Sequence, residues 1–155
     1  MPKHIELQIE NRPTVEVQVE GDVAVVVELV KSRAAFEEEI HIFERDGEPL
    51  AEIDISMRKA LTLVAHRHKE VRVTVHFEHH EKNHSFKPSA SVNRVLQWAV
   101  AIKEFGLDPT QRSKANLMLP GSKEPLNKDD VLAQLVHFPH DHVVLELTLK
   151  DFTNG

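Results

Sequence analysis

The 155-residue sequence contains no cysteine. That excludes disulfide staples, zinc–thiolate centres and any thiol nucleophile supplied by this chain. Glycine is scarce, with five residues at 21, 47, 106, 121 and 155. Their spacing leaves no room for a Gly-x-Gly-x-x-Gly or phosphate loop, nor for a Gly-x-Ser-x-Gly nucleophile elbow. Apolar runs are short, as in Val23 to Val27, against the roughly 20 residues needed to cross a bilayer. No signal peptide opens the chain, so a cytoplasmic location without a membrane partner is expected. Positive charge is also in deficit. The formal net charge of −6 argues against a nucleic-acid partner held by phosphate neutralisation.

What is present suits a globular protein: 41 % apolar and 28 % charged residues. The length fits one ordinary domain or two small ones. Charge is unevenly placed. Residues 1–67 carry 14 acidic and 8 basic side chains, whereas residues 68–155 carry 11 of each. The halves therefore present different surfaces, as separate units would.

Self-similarity supports that division. The first half reads as an alternating strand (His4 to Ile9), a turn at Asn11-Arg12-Pro13, a strand (Val15 to Glu20) and a helix from Asp22 to Phe36. The second half reads as a strand (Val71 to Glu78), a turn at Glu81-Lys82-Asn83, a short strand from His84 to Lys87 and a helix from Ser91 to Phe105. Asp22 and Ser91 are good N-cap residues and lie 69 apart, as do Val26 and Val95, Leu29 and Trp98, and Phe36 and Phe105. A strand and a glycine turn follow each helix, Ile40-His41-Ile42-Phe43 to Gly47 and Leu117-Met118-Leu119 to Gly121. Glu-Pro-Leu recurs at 48–50 and 124–126, the extra residues lying in the predicted loop from Gly106 to Lys114. Final strands run Leu61 to Val64 and Val143 to Leu149.

The Val-rich stretch after Asp22 has β-branched side chains that favour strands. It is predicted helical because Val23, Val26, Val27 and Val30 share one face. Its partner has the clearer stripe of Val92, Val95, Leu96, Ala99 and Ile102, with Gly106 as the stop and Pro109 beyond it. Trp98 falls at core spacing in that stripe. The inward strand positions are Ile5, Leu7, Ile9, Val15, Val17 and Val19 in one copy. In the other they are Val71, Val73, Val75, Val143, Leu145, Leu147 and Leu149. The connection at 67–70 is too short for free tumbling, so a fixed or narrowly hinged pair is expected.

Hairpin, helix, strand, irregular crossover and last strand is the order of the ubiquitin-like β-grasp fold, and the whole chain resembles two such modules in tandem. The expected class is α+β, with two mixed sheets each covered by one main helix. The expected boundaries are 1–67, 71–149 and a flexible tail at 150–155. In the second copy, Glu104-Phe105-Gly106-Leu107-Asp108-Pro109, Leu117-Met118-Leu119-Pro120-Gly121 and Asp129 to Leu135 look like a bacterial ubiquitin-like domain. The first copy, through Phe43-Glu44-Arg45-Asp46-Gly47-Glu48-Pro49-Leu50, is similar to the prokaryotic multiubiquitin type. Two fused modules with one tail resemble the interferon-induced tandem modifier of vertebrates and its bacterial counterpart, the BilA modifiers of Bil antiphage operons.

The resemblance implies a modifier rather than an enzyme, with no resident cofactor. It implies that the Gly155 carboxylate is adenylated with ATP by an activating enzyme, passed to enzyme cysteines and joined to a target amine. A conjugating enzyme, a deconjugating protease and a target protein, for this antiviral family a phage structural protein, are the implied partners. Glycine has no Cβ and enters narrow channels closed to other residues. The preceding residues Asp151, Phe152, Thr153 and Asn154 would form the reaching tail; Asn154 replaces the first glycine of the familiar Gly-Gly ending. For docking, Met118 falls where ubiquitin has the central isoleucine of its recognition patch, flanked by Glu146 and Thr148. Against this stands a chance terminal glycine, an incidentally exposed Met118, and a non-conjugated tandem β-grasp adaptor whose tail is dispensable.

The eleven histidines cluster at 66 and 68, at 76 to 84 and at 137 to 142. A metal site is conceivable with Glu81 or Asp141, but no His-Glu-x-x-His spacing occurs, and surface histidines are the expectation. Their protonation near pH 6 offers a second role at the contact between the halves. The acid runs Glu37-Glu38-Glu39 and Asp129-Asp130 sit at element ends and read as solvated caps.

Overall fold

The computed structural model describes residues 2–150. The first sheet is built from β1 (Lys3–Ile9), β2 (Val15–Val19), β3 (His41–Glu44) and β4 (Ala60–His66), in the order β2-β1-β4-β3, with α1 (Val23–Ala34) packed on it. The second contains β5 (Val71–Phe77), β6 (His80–Phe86), β7 (Asn116–Met118) and β8 (His142–Thr148), in the order β6-β5-β8-β7, with α2 (Val92–Val100) and a short α3 (Pro109–Lys114). In both sheets the central pair is parallel, β1 with β4 and β5 with β8, and the outer pairs are antiparallel. A parallel pair needs a long crossover, and the helix supplies it. The chain is an α+β protein of two tandem ubiquitin-like β-grasp modules.

Each module has its own core. Ile5, Leu7, Ile9, Leu61 and Leu63 meet Val26 and Val30 of α1 in the first. Val73, Val75, Leu145 and Leu147 meet Val95, Leu96 and Ala99 of α2 in the second. The Val-rich segment is helical, as its face pattern predicts. Asp22 caps it by accepting from the Val25 N–H at 3.3 Å, and Ala35 ends it in the left-handed region at φ 53°. Burial of Val26 and Val30, both 0 % exposed, outweighs the weak helix propensity of valine, which costs only tenths of a kcal/mol per residue. Gly21 sits at φ +137°, and a Cβ there would lie 2.7 Å from the Val25 side chain.

Three details depart from the sequence-based expectation. The second hairpin turns at Glu78 and His79, not at residues 81–83, because the left-handed Glu78 (φ 56°) allows a two-residue turn. The ladder then runs from Phe77 opposite His80 to Val71 opposite Phe86. As an edge strand with polar outward residues, β6 looks like a turn in sequence. α2 ends at Val100, with a separate 3-10 turn over Lys103–Phe105 that Gly106 caps in the left-handed region. The predicted loop after Gly106 contains α3, started by Pro109 and a capping box between Asp108 and Gln111.

Candidate functional site

The proposed reactive end, Gly155, and the tail residues Asp151, Phe152, Thr153 and Asn154 lie outside the described residues. The chain is described up to Lys150, two residues beyond the end of β8.

Met118, Glu146 and Thr148 come together on the second sheet. Met118 pairs with Glu146 and Asn116 with Thr148 across the β7–β8 ladder. Successive residues alternate between faces of a strand. Leu145 and Leu147 point into the core, so Glu146 and Thr148 point away from it. Glu146 is exposed, and Met118 and Thr148 are half-buried. The same row continues to His76, which pairs with Glu146 on one side and Glu81 on the other. His76 Nε2 lies 3.5 Å from the Glu81 carboxylate. This face is thus a mixed polar and apolar surface, and among the described residues no buried acid–base pair is aimed into it.

Elsewhere on that face, the Thr74 hydroxyl bonds to Asn83 and lies 2.7 Å from His142 Nε2. The spacing resembles a nucleophile–base pair, but Thr74 is buried, and the contact works as a cross-strand link. Among the described residues, no group of three or more His, Asp or Glu side chains could hold a metal ion. A cavity of about 610 Å³ lies in the first module beside Lys3, Asp22, Ile53 and Met57. The Lys3 ammonium there is spent on the carbonyls of Ile55, Ser56 and Arg58, while Asp22 caps α1.

A cluster of buried ionisable groups lies between the modules. Glu10, just past β1, and His66, which ends β4, are both fully buried. The Glu10 carboxylate accepts from Arg67 N–H at 3.1 Å, from its Nε at 3.0 Å, from its Nη2 at 3.2 Å, and from the Phe138 N–H. Burial pushes the Glu10 carboxyl up, but the Arg67 guanidinium and the two main-chain N–H groups outweigh it. The carboxyl is held below its ordinary value. His66 Nε2 lies 2.5 Å from the Val136 carbonyl, while its Nδ1 accepts from the His68 N–H at 2.8 Å. Nε2 therefore carries the proton and donates it. Burial pushes the imidazole down, more than the Val136 carbonyl and the Glu10 charge raise it. Arg67 stacks between Phe36 of the first module and Phe138 of the second, its guanidinium 4.0 Å and 4.9 Å from the ring centres.

Further links surround this cluster. Asp46 accepts from the Ser91 N–H at 2.8 Å, and the Asp46 N–H donates to the Ser89 carbonyl. Arg45 pairs with Asp129 at 3.5 Å and Lys87 with Glu48 at 3.1 Å. A fixed or narrowly hinged pair was expected from the short connection, and these contacts join the modules. One expectation is corrected here. His66 is not a surface histidine, because the second module covers it. Glu37, Glu38, Glu39 and Asp129 of the acid runs are solvent-exposed as expected, and Glu38 also pairs with Arg67 at 2.9 Å and Asp129 with Arg45. Sequence reading missed Glu10 as well. A glutamate just past an alternating strand carries no local mark of burial. Trp98 is packed against the second core as expected, stacked 5.5 Å from His84.

Among solved structures, an Arabidopsis thaliana protein determined from evolutionary couplings and sparse NMR data aligns over 57 % of this chain and 95 % of its own, at 13 % identity and a TM-score of 0.39. No curated protein matches the chain. Residues 72–150, just over half the sequence, match the family described as BilA ubiquitin-like domain 2. That span covers nearly all of the second sheet and α2, including Met118, Glu146 and Thr148. With the duplicated β-grasp architecture, this match makes the chain a member of the BilA ubiquitin-like family.

Proposed function

We propose that the protein is a ubiquitin-like modifier conjugated through the carboxylate of Gly155 to amines of target proteins, in bacterial antiviral defence. The observation that carries this reading is the family match over residues 72–150, the module from which the tail emerges. The chemistry asks little of the modifier. It needs a carboxylate that reaches an activating enzyme's adenylation site, and a folded surface for the enzyme to hold. Neither requires a cysteine, a metal or a base in this chain. The implied partners are an activating enzyme using MgATP, a conjugating enzyme, a deconjugating protease and a target, for which phage structural protein is the expected class. Met118, Glu146 and Thr148 are the proposed docking residues. Their surface is less apolar than ubiquitin's, which suits dedicated partners over general ubiquitin receptors.

Incubation with the cognate activating enzyme and MgATP tests this. A thioester adduct that disappears under reductant is expected, and deletion of residues 150–155 should abolish it. β8 ends at Thr148, so the deletion leaves the sheet intact. Antiviral activity that survives the deletion would overturn the conjugation reading in favour of a non-conjugated adaptor.

A further inference from the structure

The two sheets share one ladder scheme, so their positions can be matched. The third strand of each module pairs with the last: Phe43 stands opposite Val64, and Met118 opposite Glu146. The adjacent pairs, Ile42 with Ala65 and Leu117 with Leu147, point into their own cores. Phe43 and Met118 therefore hold the same place, on the sheet face turned away from the helix. The two faces differ in chemistry. In the second module the face is open and carries Glu146 beside Met118, with His76 next in the row. In the first, the end of the face at Phe43 and Val64 is apolar and closed, while His4 and Glu16 farther along the same face are exposed. Phe43 is 3 % and Val64 0 % exposed, and Val64 packs on Val131 and Ala133 of the second module. Val131 and Ala133 lie in and beside the 3-10 turn Leu132–Gln134, and Val136 and Phe138 continue the same segment onto His66 and Glu10.

We propose that the Phe43–Val64 end of the first module's outer sheet face is a docking patch whose occupant is the chain's own segment 131–138. A partner that reads this place on a β-grasp sheet then engages the fused pair only at the second module, through Met118 and Glu146, one partner per chain. Phe43 and Val64 stand where the second module covers this end of the face, beside the buried Gln8 and His66, whereas Met118 and Glu146 hold the equivalent positions on the open face. That distribution is the one an intramolecular interface requires, because an uncovered Phe43–Val64 patch would be sticky. Polar contacts close its border: Arg45 with Asp129, Asp46 with the Ser91 N–H, and Glu10 with the Phe138 N–H. The identity of the open face as the docking face rests on the modifier reading above; the closure of the other does not.

The absence of cysteine makes single introduced thiols clean reporters. Val64→Cys and Met118→Cys would each be made in the full chain and labelled with a maleimide dye. Met118→Cys should react promptly, and Val64→Cys at least about 100-fold more slowly, since it must await opening of the junction. Adding Ala133→Glu or, from the other side, Arg67→Met should accelerate Val64→Cys at least about tenfold with the circular dichroism of both sheets retained. Two opening variants are used so that misfolding of one leaves the other to decide. Equal labelling of the two thiols, or no acceleration in a folded opening variant, would overturn the proposal. These rates involve no enzyme, so failure of thioester formation would count against the modifier reading alone.

Discussion

Replacing Arg67 by methionine removes the guanidinium from a carboxylate that has nowhere else to go. Glu10 is 0 % exposed and receives four donors, two of them from that guanidinium at 3.0 Å and 3.2 Å. Hydrogen bonds to charged groups contribute about 1.5–3 kcal/mol each. Removing one partner of a buried ion pair costs about 3–5 kcal/mol, because the remaining charge is left uncompensated. The main-chain N–H groups of Arg67 and Phe138 stay, which keeps the loss within that range rather than above it. Methionine retains much of the stem that packs between Phe36 and Phe138, so the loss reports mainly the charge. Urea unfolding at pH 7, followed by circular dichroism and by the emission of Trp98, the single tryptophan, measures it. The expected loss for Arg67→Met is about 3–4 kcal/mol. Glu10→Gln combined with Arg67→Met should lose less than the sum of the two single changes, with a coupling of about 2 kcal/mol. A loss under about 1 kcal/mol with no coupling would match an exposed pair and refute the argument that the modules bury this carboxylate between them.

Three other outcomes follow from the same structure. Acid should loosen the junction: His66 is depressed by burial, so the opened state binds the proton more readily. Stability should hold above the ordinary histidine value near 6.5 and fall as pH drops below it, while His66→Asn should flatten the fall in a series of melting temperatures between about pH 7.5 and 5. Glu10 is also depressed, so its contribution persists to lower pH and is lost only as pH falls below the ordinary carboxylate value of about 4.3. Val25→Ala should stabilise the chain by a few tenths of a kcal/mol in denaturant titration, because Val25 is 44 % exposed on α1 and alanine is the better helix former; a loss of more than 1 kcal/mol would mean the side chain is packed after all. Leu145→Ala, at a position 0 % exposed in the second core, should cost about 2–5 kcal/mol and shift the Trp98 emission with it.

Most of the fold was legible in the sequence because it is written in periodicities. Alternation marked β1, β5 and β8, the apolar stripe marked α2, and the duplication rescued α1 from its strand-like valines. β6 was misjudged at its start because an edge strand with few buried residues has no hydrophobic alternation to show. α3 was missed because six residues with no buried side chain leave only a capping box as a signal. Of the outward triad, Met118 was placed by the resemblance to ubiquitin, and Glu146 and Thr148 by their outward positions on the last strand. The junction could not be placed, since Glu10, His66 and Phe138 lie up to 128 positions apart and become a cluster only through the way the modules pack.

The account's central claim is that this chain is joined to targets through Gly155. The sequence Lys150-Asp151-Phe152-Thr153-Asn154-Gly155 makes that directly measurable. Trypsin cuts after Lys150, so conjugates digested and analysed by mass spectrometry should carry the five-residue remnant Asp151 to Gly155 on an acceptor lysine, through an amide to the glycine carboxyl. Conjugates in which that remnant is absent and the chain is attached at another residue would contradict the account.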